Sequence, residues 1–279
     1  MTAALRLLAC QIAVPPMTTV VERDAHLADA AARVDRALRA AGGADIVVLP
    51  ELSSIDYSRA SFDRLGALAE PLDGPSHATW SALARTHGVH VVHGFPRAAP
   101  DGPRICQAVI GPDGGLLGHY DKVHLAQYGA SMEKEYFHRG DHLLTFDVAG
   151  FRLAPIICYD IRIPELARRL VLGRGADVIL HCGAYFRDPS FHTWHPFVLT
   201  RALENQCFVV SLNRAGAEYG NSIFCPPWVD ADTHPTVFDA HAEEFRLLTL
   251  DHATLVEARK TYSFLRDRLD DYGAEPLQV

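Results

Sequence analysis

The 279-residue chain predicts an α/β fold built on mixed sheets. Short apolar runs of strand length alternate with longer stretches whose apolar residues recur at helical spacing. Two tight turns, Gly111-Pro112-Asp113-Gly114-Gly115 and Ala149-Gly150, each join two strand-like runs as a hairpin, so antiparallel pairs interrupt a parallel pattern. No internal repeat, low-complexity segment or linker divides the chain, so residues 1–279 read as one domain.

In order, 5–13 is an alternating strand stopped by Pro15-Pro16. An Ala- and Arg-rich helix covers 20–41 and ends at Gly42-Gly43. The apolar strand 45–49 runs straight into Pro50-Glu51. Residues 76–87 form a helix before Gly88, and 89–95 a strand. The first hairpin joins 107–110 to 116–120, and the second joins 143–147 to 152–158. A helix at 164–172 precedes Gly173 and Gly175. Strand 178–181, helix 193–205 and strand 207–212 follow, then a late strand at 246–251 and a short helix at 255–259.

Composition removes several classes of function. The chain is 48% hydrophobic and 22% charged with a net charge of −8, and it has no Lys/Arg run, which argues against nucleic acid or an anionic membrane as partner. No apolar stretch is long enough to cross a bilayer. Six cysteines lie scattered without CxxC spacing, which suggests free thiols in a reducing compartment rather than a zinc site. With no secretory pattern at the N-terminus, the expected location is the cytoplasm. His192-x-x-His195 lacks a cysteine or carboxylate at ligand spacing, so no metal is expected.

Three strand ends carry chemistry. In Ala154-Pro155-Ile156-Ile157-Cys158-Tyr159-Asp160 an apolar run stops at a thiol, with the Tyr159 backbone N–H beside it. Glu51 follows a buried strand, where partial desolvation raises a carboxylate toward general-base range. Lys122 ends the amphipathic run Gly118-His119-Tyr120-Asp121-Lys122. Taken singly, each has a bland alternative: a core cysteine, a salt-bridging glutamate and a solvated lysine.

Together, Leu49-Pro50-Glu51, Tyr120-Asp121-Lys122-Val123-His124-Leu125 and Cys158-Tyr159-Asp160-Ile161-Arg162-Ile163-Pro164-Glu165 resemble the nitrilase superfamily of carbon–nitrogen hydrolases. The likeness covers nearly the whole chain. It includes Gln11, Arg201-Ala202-Leu203-Glu204-Asn205-Gln206, Asn213-Arg214 and Gly220-Asn221-Ser222. It implies a four-layer α-β-β-α sandwich and a catalytic set of Glu51, Lys122 and Cys158. It also implies a second glutamate. Met132-Glu133-Lys134-Glu135 offers two, and the family's register relative to Gly140-Asp141 selects Glu133.

The resemblance implies a thiol hydrolase that opens the C–N bond of a small linear amide through a thioester, without metal or organic cofactor. Lys122 and the Tyr159 N–H would hold the oxyanion. Tyr57, Tyr185, Phe186 and Arg162 are candidates for contacting substrate. An N-carbamoyl amino acid is the alternative substrate. Against it, Ile161 stands where the carbamoylases carry a second arginine, and Ser131 where they carry a histidine. An acyltransferase and a non-catalytic scaffold are the alternatives of other classes. Cys225-Pro226-Pro227-Trp228-Val229-Asp230-Ala231-Asp232 departs from the simple turn of most relatives. The family also implies a homodimer or larger assembly, with helices 164–172 and 193–205 and a tail at about 262–279 as the pairing surfaces.

Overall fold

The structure, a computed structural model, describes residues 4–269. The first half runs β1 (Ala4–Gln11), α1 (Val20–Ala40), β2 (Ile46–Val48), α2 (Arg59–Phe62), α3 (Leu65–Leu68), α4 (Pro75–His87), β3 (His90–Arg97), β4 (Arg104–Ile110), β5 (Leu116–Asp121) and α5 (Glu133–Tyr136). The second runs β6 (Phe146–Val148), β7 (Phe151–Ile157), a 3-10 turn over Cys158–Arg162, α6 (Pro164–Arg174), β8 (Val178–Cys182), α7 (Trp194–Asn205), β9 (Phe208–Leu212), β10 (Ile223–Cys225) and β11 (Thr236–Val237). It closes with β12 (Glu244–Asp251), α8 (His252–Thr261) and α9 (Phe264–Asp267).

These strands make two six-stranded sheets, ordered β12-β1-β2-β3-β4-β5 and β11-β10-β9-β8-β7-β6. Each has three parallel strands at its centre, β1-β2-β3 and β7-β8-β9, with antiparallel strands outside them. Strand periodicity sorts side chains into layers. On β1, Leu5, Leu7 and Ala9 face the other sheet, where they meet Leu153, Val178, Leu180 and Val210. Leu8 and Cys10 face the opposite way, onto Val34 and Leu38 of α1 and Trp80 of α4. Beyond the second sheet, Ile156, Ile179 and Val209 pack on Leu170 of α6 and Val198 and Ala202 of α7. The result is the expected helix–sheet–sheet–helix sandwich.

Local signals explain most boundaries. Thr19 and Glu22 form a reciprocal capping box at the start of α1. Gly88 and Gly175 end α4 and α6 in left-handed conformation. Ala149 and Gly150 both have positive φ, 51° and 83°, as a two-residue hairpin turn demands, and join β6 to β7 as expected. The expected strand at 143–147 is narrower, since only Phe146–Val148 pairs. Strands β10 and β11 were not anticipated. At three and two residues they are too short to carry a period; β10 forms on the edge that β9 offers, and β11 on the edge of β10.

The departing segment after Cys225 packs on the C-terminal helices. The Trp228 ring stacks on Tyr262 with centroids 3.6 Å apart and lies 6.1 Å from Phe264. Of the expected tail at 262–279, the part beyond Leu269 lies outside the described residues. No helix of the described residues is long and apolar enough to cross a membrane.

Candidate active site

The chemistry-bearing strand ends converge at one end of the two sheets. Glu51 follows β2, Lys122 follows β5 and Cys158 follows β7, all beyond the carboxyl ends of their strands. Open α/β sheets place ligands there, because loops diverge and leave a crevice.

The Glu51 turn is built by close backbone approach. A Cβ on Gly94 of β3 would sit 2.5 Å from the Pro50 carbonyl oxygen and 2.6 Å from the Leu52 nitrogen, so only glycine lets β3 pass beneath the turn. Leu52 is left-handed, with φ 45°. The fully buried Arg214 guanidinium donates to three carbonyls of this turn: Glu51 at 3.0 Å, Leu52 at 2.7 Å and Ile55 at 2.8 Å.

Lys122 is wholly buried and bridges two buried carboxylates. Its Nζ lies 2.8 Å from Glu51 Oε1 and 2.6 Å from Glu133 Oε1. Glu133 is held in turn by Tyr57 Oη, donating to Oε1 at 2.9 Å, and by the Ala126 N–H, donating to Oε2 at 2.8 Å. Glu135 points to the surface and pairs with Arg59. Burial alone would lower the Lys122 pKa, but the negative charges of Glu133 and Glu51 outweigh it and hold the ammonium charged. Burial raises Glu51 to about 7, with Glu133 adding to the rise and Lys122 opposing it. Glu51 Oε2 is buried and has no hydrogen-bond partner among the described residues.

Cys158 is 9% exposed and has φ 43°, a left-handed backbone rare for a side chain with a Cβ. Burial pushes its thiol well above the ordinary range, while Lys122 pulls the other way. The resting group is therefore a thiol that needs a base. Tyr159 stands in the first turn of the 3-10 segment, where N–H groups lack an acceptor within the helix.

Asp160 locks the Cys158 turn to the lysine strand. Its buried carboxylate accepts from the Ile157 N–H at 2.9 Å, Tyr120 Oη at 2.7 Å and the His124 N–H at 3.0 Å. No role for Asp160, Arg214 or His181 was drawn from the sequence. For Asp160 the signal was present, as an acid in the same motif as the thiol.

The remaining candidates sit at different depths. Tyr57 lies close enough to Cys158 and Glu51 that their charges oppose its ionisation, after burial as the main cause. Tyr185 is buried, stacks on Trp194 and donates its hydroxyl to the Cys158 carbonyl at 2.8 Å. Its polar group thus serves the Cys158 backbone. Phe186 is half-buried and packs edge-on against Tyr219 at 5.8 Å. Arg162 lies between the rings of Tyr128 and Phe197 and donates to Thr193 Oγ1 at 2.9 Å. It pairs there, and not with Glu165, the structural partner a helix-start arginine would take. His195 donates to the Asn221 carbonyl at 2.7 Å, and no group of side chains suited to a metal ion occurs among the described residues.

Comparison with known proteins places the chain in a family. The carbon–nitrogen hydrolase family model matches residues 6–237. The chain is 32% identical over 246 residues to an (R)-stereoselective amidase of a Pseudomonas species, covering 86% of each chain. It is 33% identical over 192 residues to the 2-oxoglutaramate amidase of Bacillus subtilis, covering 66% of this chain and 71% of that one. Among solved structures, Nit3 of Saccharomyces cerevisiae, a member of branch 10 of the nitrilase superfamily, superposes with a TM-score of 0.81 at 24% identity, covering 94% and 95% of the two chains. The chain belongs to the carbon–nitrogen hydrolase family and is an enzyme of that class.

Proposed function

We propose that the protein is a thiol amidohydrolase that cleaves small linear amides through a thioester on Cys158. The observation that carries this reading is the pairing of one Glu51 oxygen with Lys122 while the other stays without a hydrogen-bond partner among the described residues, with the carboxylate near enough to the buried Cys158 thiol for its charge to oppose the thiol's ionisation. A base with a free, desolvated oxygen and a pKa near neutrality suits proton transfer from a thiol that is not already ionised.

In the first half-reaction the Cys158 sulfur attacks the amide carbon, and its proton passes to Glu51. The carbonyl oxygen becomes an oxyanion held by the Lys122 ammonium and the Tyr159 N–H. Glu51 returns the proton to the nitrogen, the C–N bond breaks, and ammonia or an amine departs. In the second half, water gives a proton to Glu51 and attacks the thioester, the C–S bond breaks, and the acid leaves as the thiol regains its proton. Glu133 keeps Lys122 charged and aimed.

Small substrates are supported by the near burial of Cys158 and by three tyrosines, Tyr57, Tyr128 and Tyr185, whose hydroxyls feel its charge. The amidase names of two relatives support an amide rather than a nitrile. The test is ammonia release from a panel of ω-amides, aliphatic amides, N-carbamoyl amino acids and nitriles. Release from amides that Cys158→Ala abolishes is expected. Release confined to N-carbamoyl compounds or nitriles, or release that survives in the variant, would overturn the reading.

A further inference from the structure

Cys158 and Tyr159 share one peptide unit, and that unit is gripped from its carbonyl end. The Cys158 oxygen accepts from Tyr185 Oη at 2.8 Å and from His181 Nε2 at 2.9 Å. A carbonyl only accepts, so His181 carries its proton on Nε2. Nδ1 then accepts, and its partner Ser211 Oγ, 2.7 Å away, donates. Trp194 Nε1, which only donates, supplies the bond that Ser211 Oγ receives at 2.9 Å. The relay therefore runs in one direction, from Trp194 through Ser211 and His181 to the Cys158 carbonyl. The same indole stacks on the Tyr185 ring at 4.5 Å and 7°, so one buried tryptophan anchors both donors.

Burial holds His181 down to about 4, so it stays neutral and keeps this tautomer across neutral pH. Nothing in proton transfer from Cys158 requires His181 or Tyr185, yet both buried hydrogen bonds end on a carbonyl that does no chemistry.

The planarity of the peptide gives them a use. In a trans peptide the C=O and N–H point in opposite directions, so fixing one fixes the other. Donors on the oxygen also polarise the unit and strengthen its N–H as a donor. We propose that His181 and Tyr185 are positioning residues that aim and polarise the Tyr159 N–H toward the oxyanion. This deepens the function proposed above and rests on Tyr159 serving as an oxyanion donor there.

The test separates oxyanion binding from the thiol itself. A short aliphatic aldehyde adds to a thiol as a hemithioacetal: an S–C bond forms, and the thiol proton ends on the former carbonyl oxygen, which occupies the oxyanion position. Alkylation by iodoacetamide forms an S–C bond with loss of iodide and places no charge there. In the full chain, aldehyde affinity is read as protection of Cys158 from alkylation, with Cys158→Ala as the background. Tyr185→Phe is expected to weaken protection about tenfold at an unchanged alkylation rate, and to lower kcat similarly with little change in KM. This is less than the roughly hundredfold or greater loss from removing an oxyanion donor outright. Ser211→Ala is expected to act in the same direction, and Ser211→Thr to restore function. Unchanged protection in both variants, alkylation that slows in step with protection, or a wild-type chain that aldehyde does not protect would overturn the inference. Failure of the wild-type chain to release ammonia while aldehyde protection still responds to Tyr185→Phe would instead overturn the choice of substrate.

Discussion

Lys122 Nζ approaches Glu51 Oε1 to 2.8 Å, while Oε2 of the same carboxylate stays buried and unpartnered among the described residues. The lysine thus restrains the glutamate without consuming it. One oxygen is oriented, and the other is left as the only part of the carboxylate free to take a proton.

The pH profile should report this arrangement. Burial raises Glu51 to about 7, and only its ionised form can accept the thiol proton. Amide turnover should therefore rise with pH through an apparent pKa near that value. Glu51→Gln should lower kcat/KM by roughly 10²–10⁴ and remove that limb. A variant that keeps both the limb and the rate would exclude Glu51 as the base.

Removing the lysine should expose the charges that it balances. Lys122→Met leaves Glu51 and Glu133 buried together without the ammonium that bridges them, at a cost of about 3–5 kcal/mol. The sign with pH follows from linkage. Glu51, already raised by burial and now without the lysine that opposes the rise, would have a folded pKa further above its unfolded one, so the folded state binds the extra proton. The variant should be least destabilised near or below pH 4.5, the ordinary glutamate value, and lose more as pH rises. Urea unfolding at pH 5 and pH 8 measures this, and an equal loss at both would contradict it.

Glu51, Lys122 and Cys158 each stand at a strand end, but each has a bland reading alone; they are legible only together, as three motifs in order that carry the family resemblance. The two hairpins are legible because their turns need glycine or positive φ. Choosing Glu133 over Glu135 required the resemblance, since both sit in one charged loop and only the fold turns one inward. The roles of Arg214 and His181 are not legible. Each acts on a backbone carbonyl brought close by folding: 163 residues away for Arg214 and Glu51, and 23 for His181 and Cys158. Tyr185 was visible as an aromatic near the site, but whether its hydroxyl faces substrate or backbone depends on the Trp194 stack.

The left-handed backbone of Cys158 predicts a difference between two inactive variants. Cys158→Ala and Cys158→Gly both remove the sulfur, but alanine keeps a Cβ at φ 43° and glycine does not. A left-handed residue with a Cβ costs about 1–2 kcal/mol. Cys158→Gly should unfold at higher denaturant concentration than Cys158→Ala, although glycine normally weakens a protein. The reverse order would mean that the turn carries no strain.

We propose that the chain pairs with a second copy through its outer helical layer and C-terminal helices. Leu172 on α6 is 41% exposed, Phe264 on α9 is 39% exposed, and Leu269 just beyond is 57% exposed. Exposed large apolar side chains on α6, on α9 and just beyond it are surface that association would remove from water. Light scattering at micromolar concentration should give at least twice the chain mass of 30.7 kDa. Leu172→Glu and Phe264→Glu together should shift the mass toward one chain, because a buried unpaired charge strongly opposes association. The double variant should keep its Cys158 reactivity, since neither position touches the catalytic cluster. A monomeric wild-type mass would remove the need for a partner, and a mass unmoved by the double variant would place the interface elsewhere.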